Sequence, residues 1–270
     1  MPARQNNLRP ILPREHGAWA MFIVPLCIGI AAARTVNLAT LFFALTAFGF
    51  FLLRYPLMLA IKNRAPDARR EAIRWSAIYG TISLIAGALL MIAAQLWLLI
   101  PLGALGAISL AFYLWLAARR AEMSVIGEWT GIVGLALGAP GAYLVATNSF
   151  DTNALALYIL NVLYFGGTIS YIKFKVREQP RVVTPNADWR ARVWAGRVTI
   201  IYHAFAFALI AAFATLGFLP ALVTLAFVPA LCKAIGGAMN RPARLNIRHL
   251  GFIELGSSIL FAFLVFLAYR

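Results

Sequence analysis

Charged residues are scarce in this chain. They make up 12% of its 270 positions, about half the share of an ordinary soluble domain, whereas hydrophobic residues make up 62%. A chain with so few charges cannot cover its own surface in contact with water. The composition therefore excludes an ordinary soluble protein and predicts a membrane protein.

Cysteine and the common catalytic motifs are also lacking. Cys27 and Cys232 lie in apolar runs without Cys or His at metal-ligand spacing, which excludes a disulfide framework and a zinc site. The chain has no G-x-x-x-x-G-K-S/T, H-E-x-x-H or G-x-S-x-G sequence. We therefore predict no metal ligands, and neither a catalytic residue nor a cofactor is assigned; whether the protein is an enzyme stays open.

Nine apolar stretches are near the length of about 20 residues that a helix needs to cross the hydrocarbon core. They are 16–33, 38–61, 72–94, 96–118, 124–147, 153–174, 195–217, 219–236 and 249–269. We predict an all-α polytopic membrane protein with a cytoplasmic segment over 1–15 and one transmembrane bundle over 16–270. A Glu near a Trp at the start of the first and fifth stretches suggests a repeat, 16–118 and 124–236, followed by helix 249–269.

Basic residues outnumber acidic ones, 24 to 9, and nearly all of them fall on one side of the predicted bundle. That side receives Arg4, Arg9, Arg14, Lys62, Arg64, Arg69, Arg70, Arg74, Arg119, Arg120, Lys173, Lys175, Arg177, Arg181, Arg190, Arg192, Arg197, Lys233, Arg241, Arg244 and Arg248. Because cytoplasmic connections retain Lys and Arg, we predict a cytoplasmic N-terminus and an external C-terminus. The net charge of +15 then needs no nucleic acid; membrane lipids are the expected partners, and the oligomeric state stays open.

Ionisable residues inside membrane spans cost roughly 2.5–3.5 kcal/mol each, so they usually face a cavity or a partner. Those in this chain fall near the predicted cytoplasmic ends of their helices, and we predict that they surround one shared space. They are Glu15, His16, Arg54, Arg74, Glu128, Lys173, Arg197, His203 and Glu254.

Individual members of this set allow more than one interpretation. Arg54 lies roughly 10 Å below the end of its helix and is expected to face a pocket, whereas Lys173 could simply snorkel to the headgroups. Glu15, Glu128 and Glu254 are expected to pair with Arg or His, either at a ligand site or as structural ion pairs. His203 is a candidate proton carrier or a packing residue.

Residues 12–21 read L-P-R-E-H-G-A-W-A-M and are followed by Pro25 and Gly29. This string resembles the signature of the YwiC-like family of bacterial membrane proteins. The resemblance continues through R-Y-P-L at 54–57 and S-Y-I-K-F-K-V-R at 170–177. It implies a multi-pass protein of the bacterial cytoplasmic (inner) membrane without implying an activity.

The stretch 63–71, N-R-A-P-D-A-R-R-E, is similar to the first motif of the UbiA superfamily of intramembrane prenyltransferases, N-D-x-x-D-x-x-x-D. It keeps Asn63, Asp67 and Glu71, but Arg64 replaces the first Asp. Of the second motif only Tyr171 remains. The resemblance implies a UbiA-like bundle with an isoprenoid diphosphate site. The missing carboxylates disfavour a Mg²⁺ site. The basic residues expected to bind the phosphate directly are Arg54, Arg64, Lys175 and Arg177.

Three functions follow. The first is a cytoplasm-facing basic cavity for an isoprenoid diphosphate or other anionic lipid, as in a divergent UbiA-like transferase. The second is a small permease or carrier, and the third is a non-enzymatic anchoring or assembly protein. The residues predicted to bind the ligand are Glu15, His16, Arg54, Asn63, Arg64, Asp67, Glu71, Glu128, Tyr171, Lys173, Lys175, Arg177, Arg197, His203 and Glu254.

Overall fold

The computed structural model describes residues 9–184, 186–240 and 246–270 and, among them, not the side chains of His16 and Ala93. The predictions for Arg4, Arg241, Arg244 and the His16 side chain therefore lie outside the description. The helices are α1 (His16–Ala33), α2 (Leu38–Lys62), α3 (Pro66–Ala94), α4 (Leu99–Ala118), α5 (Val125–Ala136), α6 (Gly138–Thr147), α7 (Thr152–Lys173), α8 (Gln179–Val182), α9 (Trp189–Ala195), α10 (Arg197–Thr215), α11 (Val228–Met239) and α12 (Ile247–Ala268). A π-helical turn, Phe174–Glu178, follows α7, and a 3-10 helix, Ala221–Phe227, precedes α11.

Eight helical segments of the described chain are long and apolar enough to cross a membrane. They are Leu38–Lys62, Pro66–Ile92, Leu99–Ala118, Val125–Thr147, Thr152–Val182, Arg197–Thr215, Ala221–Met239 and Ile247–Ala268. The predicted class, an all-α polytopic membrane protein, is confirmed. Of the nine predicted spans, the first corresponds to a shorter apolar helix, α1, of 18 residues.

Prolines account for the largest differences between predicted and observed helix ends. α3 begins at Pro66 instead of residue 72, because proline is well suited to the first helical turn, where its missing N–H is not needed. The predicted fifth span divides at Leu137 into α5 and α6, since Pro140 has no N–H to donate to the carbonyl of Ala136. Pro229 likewise lies in the first turn of α11, after the 3-10 helix.

α1 packs against α5, α6, α7 and α12. At its N-terminal end Glu15 lies beside Arg54 of α2. At its C-terminal end Arg34 Nε donates a hydrogen bond to the backbone oxygen of Tyr269, which follows α12. We call the end of the bundle that carries Glu15, Lys62 and Lys173 the basic end. α1 therefore runs from the basic end of the bundle to the opposite end.

Two packed groups of side chains lie on either side of α1. On one side Phe22 of α1 stacks on Phe51 of α2, with ring centroids 4.6 Å apart. On the other side Tyr164 of α7 stacks on Phe261 of α12 at 3.7 Å. The first group lies beside the cavity described next, and the second lies beside a polar cluster on the other side of α1.

Candidate ligand-binding site

A cavity of about 530 Å³ lies among α1, α2, α3, α4 and the α5–α6 break. We call it the Arg54 cavity, because Arg54 is the only charged side chain among the described residues that line it. From Phe43 to Arg54 the lining follows α2 over eleven residues, a depth of roughly 16 Å. The guanidinium lies toward the basic end, 4.9 Å from the ring centroid of Tyr113. The cavity is thus a long apolar space with one cation near its basic end.

Most of the hydroxyl groups in the cavity wall are engaged with the backbone of the bundle. Thr46 donates to the carbonyl of Phe42 at 2.8 Å, and Ser83 donates to the carbonyl of Thr46 at 2.8 Å. Ser109 donates to the carbonyl of Thr130 at 2.9 Å. Engaged hydroxyls leave an essentially apolar surface, which suits a hydrocarbon chain better than a polar solute.

The cavity wall includes side chains that are also exposed on the outside of the bundle. Leu84 of α3 is 76% exposed and Ile100 of α4 is 54% exposed. α3 and α4 each pack on α2, so the space between them connects the cavity with the apolar exterior. A ligand dissolved in the bilayer could enter by this route.

Two ion pairs join helices at the basic end near the cavity. Glu15 Oε2 lies 3.6 Å from Arg54 Nη2, and Lys173 pairs with Glu128 of α5. Gly131, one turn after Glu128, lies beside the guanidinium, since a Cβ added there would be 3.8 Å from Arg54 Nη1. Arg54 therefore lies close to α5, the helix that carries one partner of the second ion pair.

The predicted pairing of the three carboxylates is only partly right. Glu15 is paired with an arginine as expected, but Glu128 and Glu254 pair with lysines, Lys173 and Lys233. Lys173 therefore does not simply extend to the headgroups. A lysine or an arginine serves equally as a counter-charge here, and the sequence contains no signal that separates the two.

A third ion pair lies at the basic end, where it joins the end of α2 to the connection between α4 and α5. Lys62, the last residue of α2, donates a hydrogen bond to Glu122 in the connection between α4 and α5. Burial of the carboxylate opposes its ionisation, but the hydrogen bond and positive charge of Lys62 outweigh that effect. The pKa of Glu122 therefore lies below its ordinary value.

A second polar cluster lies on the other side of α1, between α7 and α12. Lys233 Nζ lies 2.8 and 2.7 Å from the two carboxylate oxygens of Glu254 and 3.3 Å from Ser257 Oγ. Its ammonium group is 5.0 Å from the ring centroid of Tyr171. Glu254 is only 5% exposed. This is a buried, fully engaged ion pair inside the bundle.

Buried polar residues follow one face of α7 next to this cluster. They recur at intervals of three and four residues, as neighbours on one helix face do. They are Asn161, Tyr164, Thr168 and Tyr171, and Lys175 continues the series into the π-helical turn. His203 of α10, also buried, lies 2.8 Å through Nδ1 from the carbonyl oxygen of Thr199.

The expected gathering of the ionisable residues around one space is therefore wrong. Arg54 lines the cavity, whereas Glu254 belongs to the separate cluster around Lys233. Lys233 falls within the predicted span 219–236, although its charge groups it with the basic residues of the cytoplasmic side. It lies in α11, roughly 9 Å before the end of that helix. A lysine inside an apolar span is the signal that could have identified it.

Lys175 and Gln179 lie at the end of α11 rather than in the cavity lining. Lys175 Nζ donates to Gln179 Oε1 at 2.5 Å and to the carbonyl of Gly237 at 3.3 Å. Gln179 Nε2 donates to the carbonyl of Asn240 at 3.0 Å. A cation beside the last carbonyl groups of a helix stabilises that helix end, so these contacts give Lys175 a structural role.

The remaining predicted residues lie at the surface of the basic end. Arg64, Asp67 and Glu71 are exposed, and Asn63 is half-buried. Asp67 and Glu71 belong to α3 and not to a loop, because that helix begins at Pro66. No group of three or more His, Cys, Asp or Glu side chains is placed to hold a metal ion in the described part of the chain.

Arg177 and Arg197 are also exposed rather than directed into the cavity. The guanidinium of Arg197 lies 4.3 Å from the ring centroid of Trp194. It also donates a hydrogen bond to the backbone oxygen of Trp194 at 2.9 Å. Exposed Trp–Arg pairs of this kind are typical of the membrane interface.

Comparison with known proteins supports the family resemblance. The sequence profile of the YwiC-like protein family matches residues 12–143, and every residue that lines the Arg54 cavity lies in this range. The predicted resemblance is therefore confirmed. An uncharacterised protein of Haemophilus influenzae is 24% identical over 268 residues, 97% of this chain and 99% of that protein. The uncharacterised protein YwiC of Bacillus subtilis is 24% identical over 174 residues, 64% of this chain and 70% of that protein. No solved structure matches, and the UbiA relationship stays a prediction.

Proposed function

Residues 12–143 are YwiC-like and contain the whole Arg54 cavity, and from this premise we propose that the protein binds a phosphate-bearing amphiphile in the bacterial cytoplasmic membrane. The apolar tail occupies the cavity, and the phosphate lies at Arg54 near the basic end. An isoprenoid diphosphate and other phosphate-bearing lipids share these two properties. A divergent transferase acting on such a lipid is one form of this function.

One observation carries the proposal: a single guanidinium lies at one end of a long, otherwise uncharged cavity. Burial of a hydrocarbon tail is favourable by about 25 cal/mol for each Å² removed from water. Arginine can donate two parallel hydrogen bonds to phosphate oxygens, which fixes the position of the headgroup. The arrangement therefore suits a molecule with one apolar and one anionic end.

The predicted transfer chemistry needs activation of the diphosphate leaving group. In the UbiA-like interpretation, basic side chains would neutralise the charge that develops on the diphosphate. Arg54 is the cation placed to do so at the cavity, whereas Lys175 is engaged with α11. Binding is therefore the function that the geometry supports best, and transfer depends on a second substrate that reaches the same end of the cavity.

The test is binding of farnesyl diphosphate to the purified protein, measured by equilibrium dialysis of the labelled lipid with and without Mg²⁺. Arg54→Gln should weaken binding by about tenfold or more, because it removes a charged hydrogen-bond donor. Arg119→Gln is the matched control, since Arg119 is stacked on Trp115 outside the cavity, 3.9 Å from its ring centroid. Binding of farnesol measures the contribution of the tail to the affinity, and binding of inorganic diphosphate measures the contribution of the headgroup.

Equal binding by the wild-type protein and Arg54→Gln would contradict the proposal. So would the absence of any binding to the wild-type protein in both ionic conditions. Release of inorganic diphosphate in the presence of an acceptor would extend the proposal from binding to transfer.

A small proton-coupled carrier is the second candidate, and the buried polar face of α7 favours it. Glu254 is faced by Lys233 and Ser257, and Tyr171 and His203 lie on the neighbouring helices. Such a series of titratable groups could relay a proton. Proteoliposomes with an internal pH dye test this, and an equal proton flux in the wild-type protein and Glu254→Gln would argue against it.

A further inference from the structure

The segment before α1 is fastened to the basic end of the Arg54 cavity. Within this N-terminal strap, residues 9–15, the carbonyl of Pro13 accepts a hydrogen bond from Trp19 Nε1 at 3.1 Å. The carbonyl of Ile11 accepts one from the Tyr79 hydroxyl at 3.3 Å. The strap is thereby attached to both α1 and α3, so the fold itself fixes the position of the residue at its end.

That residue is Glu15, and its carboxylate is directed at Arg54. Glu15 is the N-cap residue of α1, but its side chain makes no capping hydrogen bond. Instead Oε2 lies 3.6 Å from the guanidinium, which is longer than a hydrogen bond. The Glu15 side chain is 60% exposed, against 14% for Arg54. It is therefore an accessible anion that leaves donors of the guanidinium available.

We propose that Glu15 makes the site selective for zwitterionic phosphate headgroups, with the phosphate at Arg54 and an ammonium group at Glu15. This inference rests on the proposed function, because it requires a phosphate at Arg54. It narrows the ligand class to amphiphiles of the phosphoethanolamine type.

The reason is charge complementarity at the headgroup. A purely anionic headgroup is attracted by Arg54 and repelled by the nearby Glu15. A headgroup with an ammonium group a few atoms from its phosphate turns that repulsion into attraction. The neighbouring pair of Glu128 and Lys173 adds no net charge. The pair of Arg54 and Glu15 is neutral but dipolar, which complements a neutral, dipolar headgroup.

The test compares lysophosphatidylethanolamine with lysophosphatidylglycerol of the same acyl chain, by calorimetric titration of the full chain in maltoside micelles. Both lipids are phosphodiesters, and only the first carries an ammonium group. The wild-type protein should prefer the ethanolamine lipid by about threefold to tenfold. Glu15→Gln should abolish this preference, because it weakens binding of the ethanolamine lipid and strengthens binding of the glycerol lipid. Glu178→Gln, an exposed carboxylate at the end of the π-helical turn after α7, should leave the preference unchanged.

The outcomes separate the two claims. An unchanged preference in Glu15→Gln, or a wild-type preference for the glycerol lipid, would overturn the role of Glu15 and leave binding at Arg54 intact. Failure of both lysolipids to bind, while farnesyl diphosphate still binds, would overturn the assignment to phosphoethanolamine headgroups alone. Failure of all three lipids to bind, or full binding of both lysolipids by Arg54→Gln, would overturn the proposed function itself. Free phosphoethanolamine binding as tightly as the lipid would overturn the assignment to a lipid in favour of a soluble ligand.

Discussion

The buried pair of Lys233 and Glu254 connects α11 to α12 inside the bundle. Removing one partner of a buried ion pair leaves the other charge unpaired, at a typical cost of about 3–5 kcal/mol. Replacing both partners with apolar residues of similar size is often neutral. We therefore expect Glu254→Leu to destabilise the protein by about that amount and Lys233→Met/Glu254→Leu to recover most of the loss.

Reversible unfolding in mixed micelles of maltoside and dodecyl sulfate measures the free energy of unfolding. The variants compared are Glu254→Leu, Lys233→Met and the double variant. Arg119→Met serves as a control, because Arg119 has no buried carboxylate partner and lies on an exposed Trp115. Additive losses in the double variant would show that the two side chains do not stabilise each other.

For single residues, the sequence predicts which ionisable side chains lie inside apolar helices, but not which of these side chains contact one another. Arg54 could be identified as pocket-facing, because its depth in an apolar helix makes solvation by headgroups costly. Its partners Glu15 and Tyr113 could not be identified, since they depend on how α1 and α4 pack against α2. Lys233 and Arg54 lie apart for the same reason. Their separation depends on how the helices pack, and residue spacing does not predict it.

At the scale of whole helices, the contact between α1 and α6 depends on Gly29. A Cβ added at this position would lie 2.2 Å from the carbonyl oxygen of Ala139 and 2.9 Å from the Cβ of Ala142. Backbone atoms cannot yield as a flexible side chain does, so the helices would have to separate. We expect Gly29→Ala to destabilise the protein by about 1–3 kcal/mol, as overpacking in a core does.

Thermal unfolding in maltoside micelles, compared between variants, checks this expectation. Gly256→Ala in α12 is the matched control, because a Cβ there meets no atom within 4 Å. That variant should be neutral or slightly stabilising, since alanine favours a helix over glycine by about 1 kcal/mol in soluble hosts. Equal stability of the two variants would mean that α1 and α6 can move apart without cost.

Helices as elements follow directly from the apolar stretches, but their ends and breaks do not. Residues 66–71 are polar, so hydropathy places the start of α3 too late, whereas Pro66 marks it correctly. The break at Leu137 could not be foreseen from Pro140 alone, because Pro25 and Pro56 lie inside the continuous helices α1 and α2. The opening between α3 and α4 could not be foreseen either, because it results from both helices packing on α2.

Across the whole molecule, α1 separates two regions with different chemistry. The Arg54 cavity is apolar with one cation, and it lies entirely within the YwiC-like residues 12–143. The cluster around Lys233 is polar, closely engaged and built from α7, α11 and α12. The proposed lipid site and the cluster around Lys233 can therefore be altered independently by substitution.

The number of crossings decides whether the two termini share a side of the membrane. α1 has 18 residues, roughly 27 Å in length, against a hydrocarbon core of about 30 Å. It nevertheless reaches from Glu15 at the basic end to Arg34 beside Tyr269 at the other. We therefore expect nine crossings, with the N-terminus in the cytoplasm and the C-terminus outside, as the basic residues predict.

Alkaline phosphatase and green fluorescent protein, each fused to the C-terminus, distinguish the two arrangements in bacterial cells. Nine crossings from a cytoplasmic N-terminus give an active phosphatase and a dark fluorescent protein, because only the exterior allows the first to fold. Eight crossings place both termini on one side, so green fluorescent protein fusions at the N-terminus and at the C-terminus that are both fluorescent or both dark would mean that α1 does not cross. In that case Glu15 and Arg54 could not both lie at the cytoplasmic surface, and the ligand site would need to be redrawn.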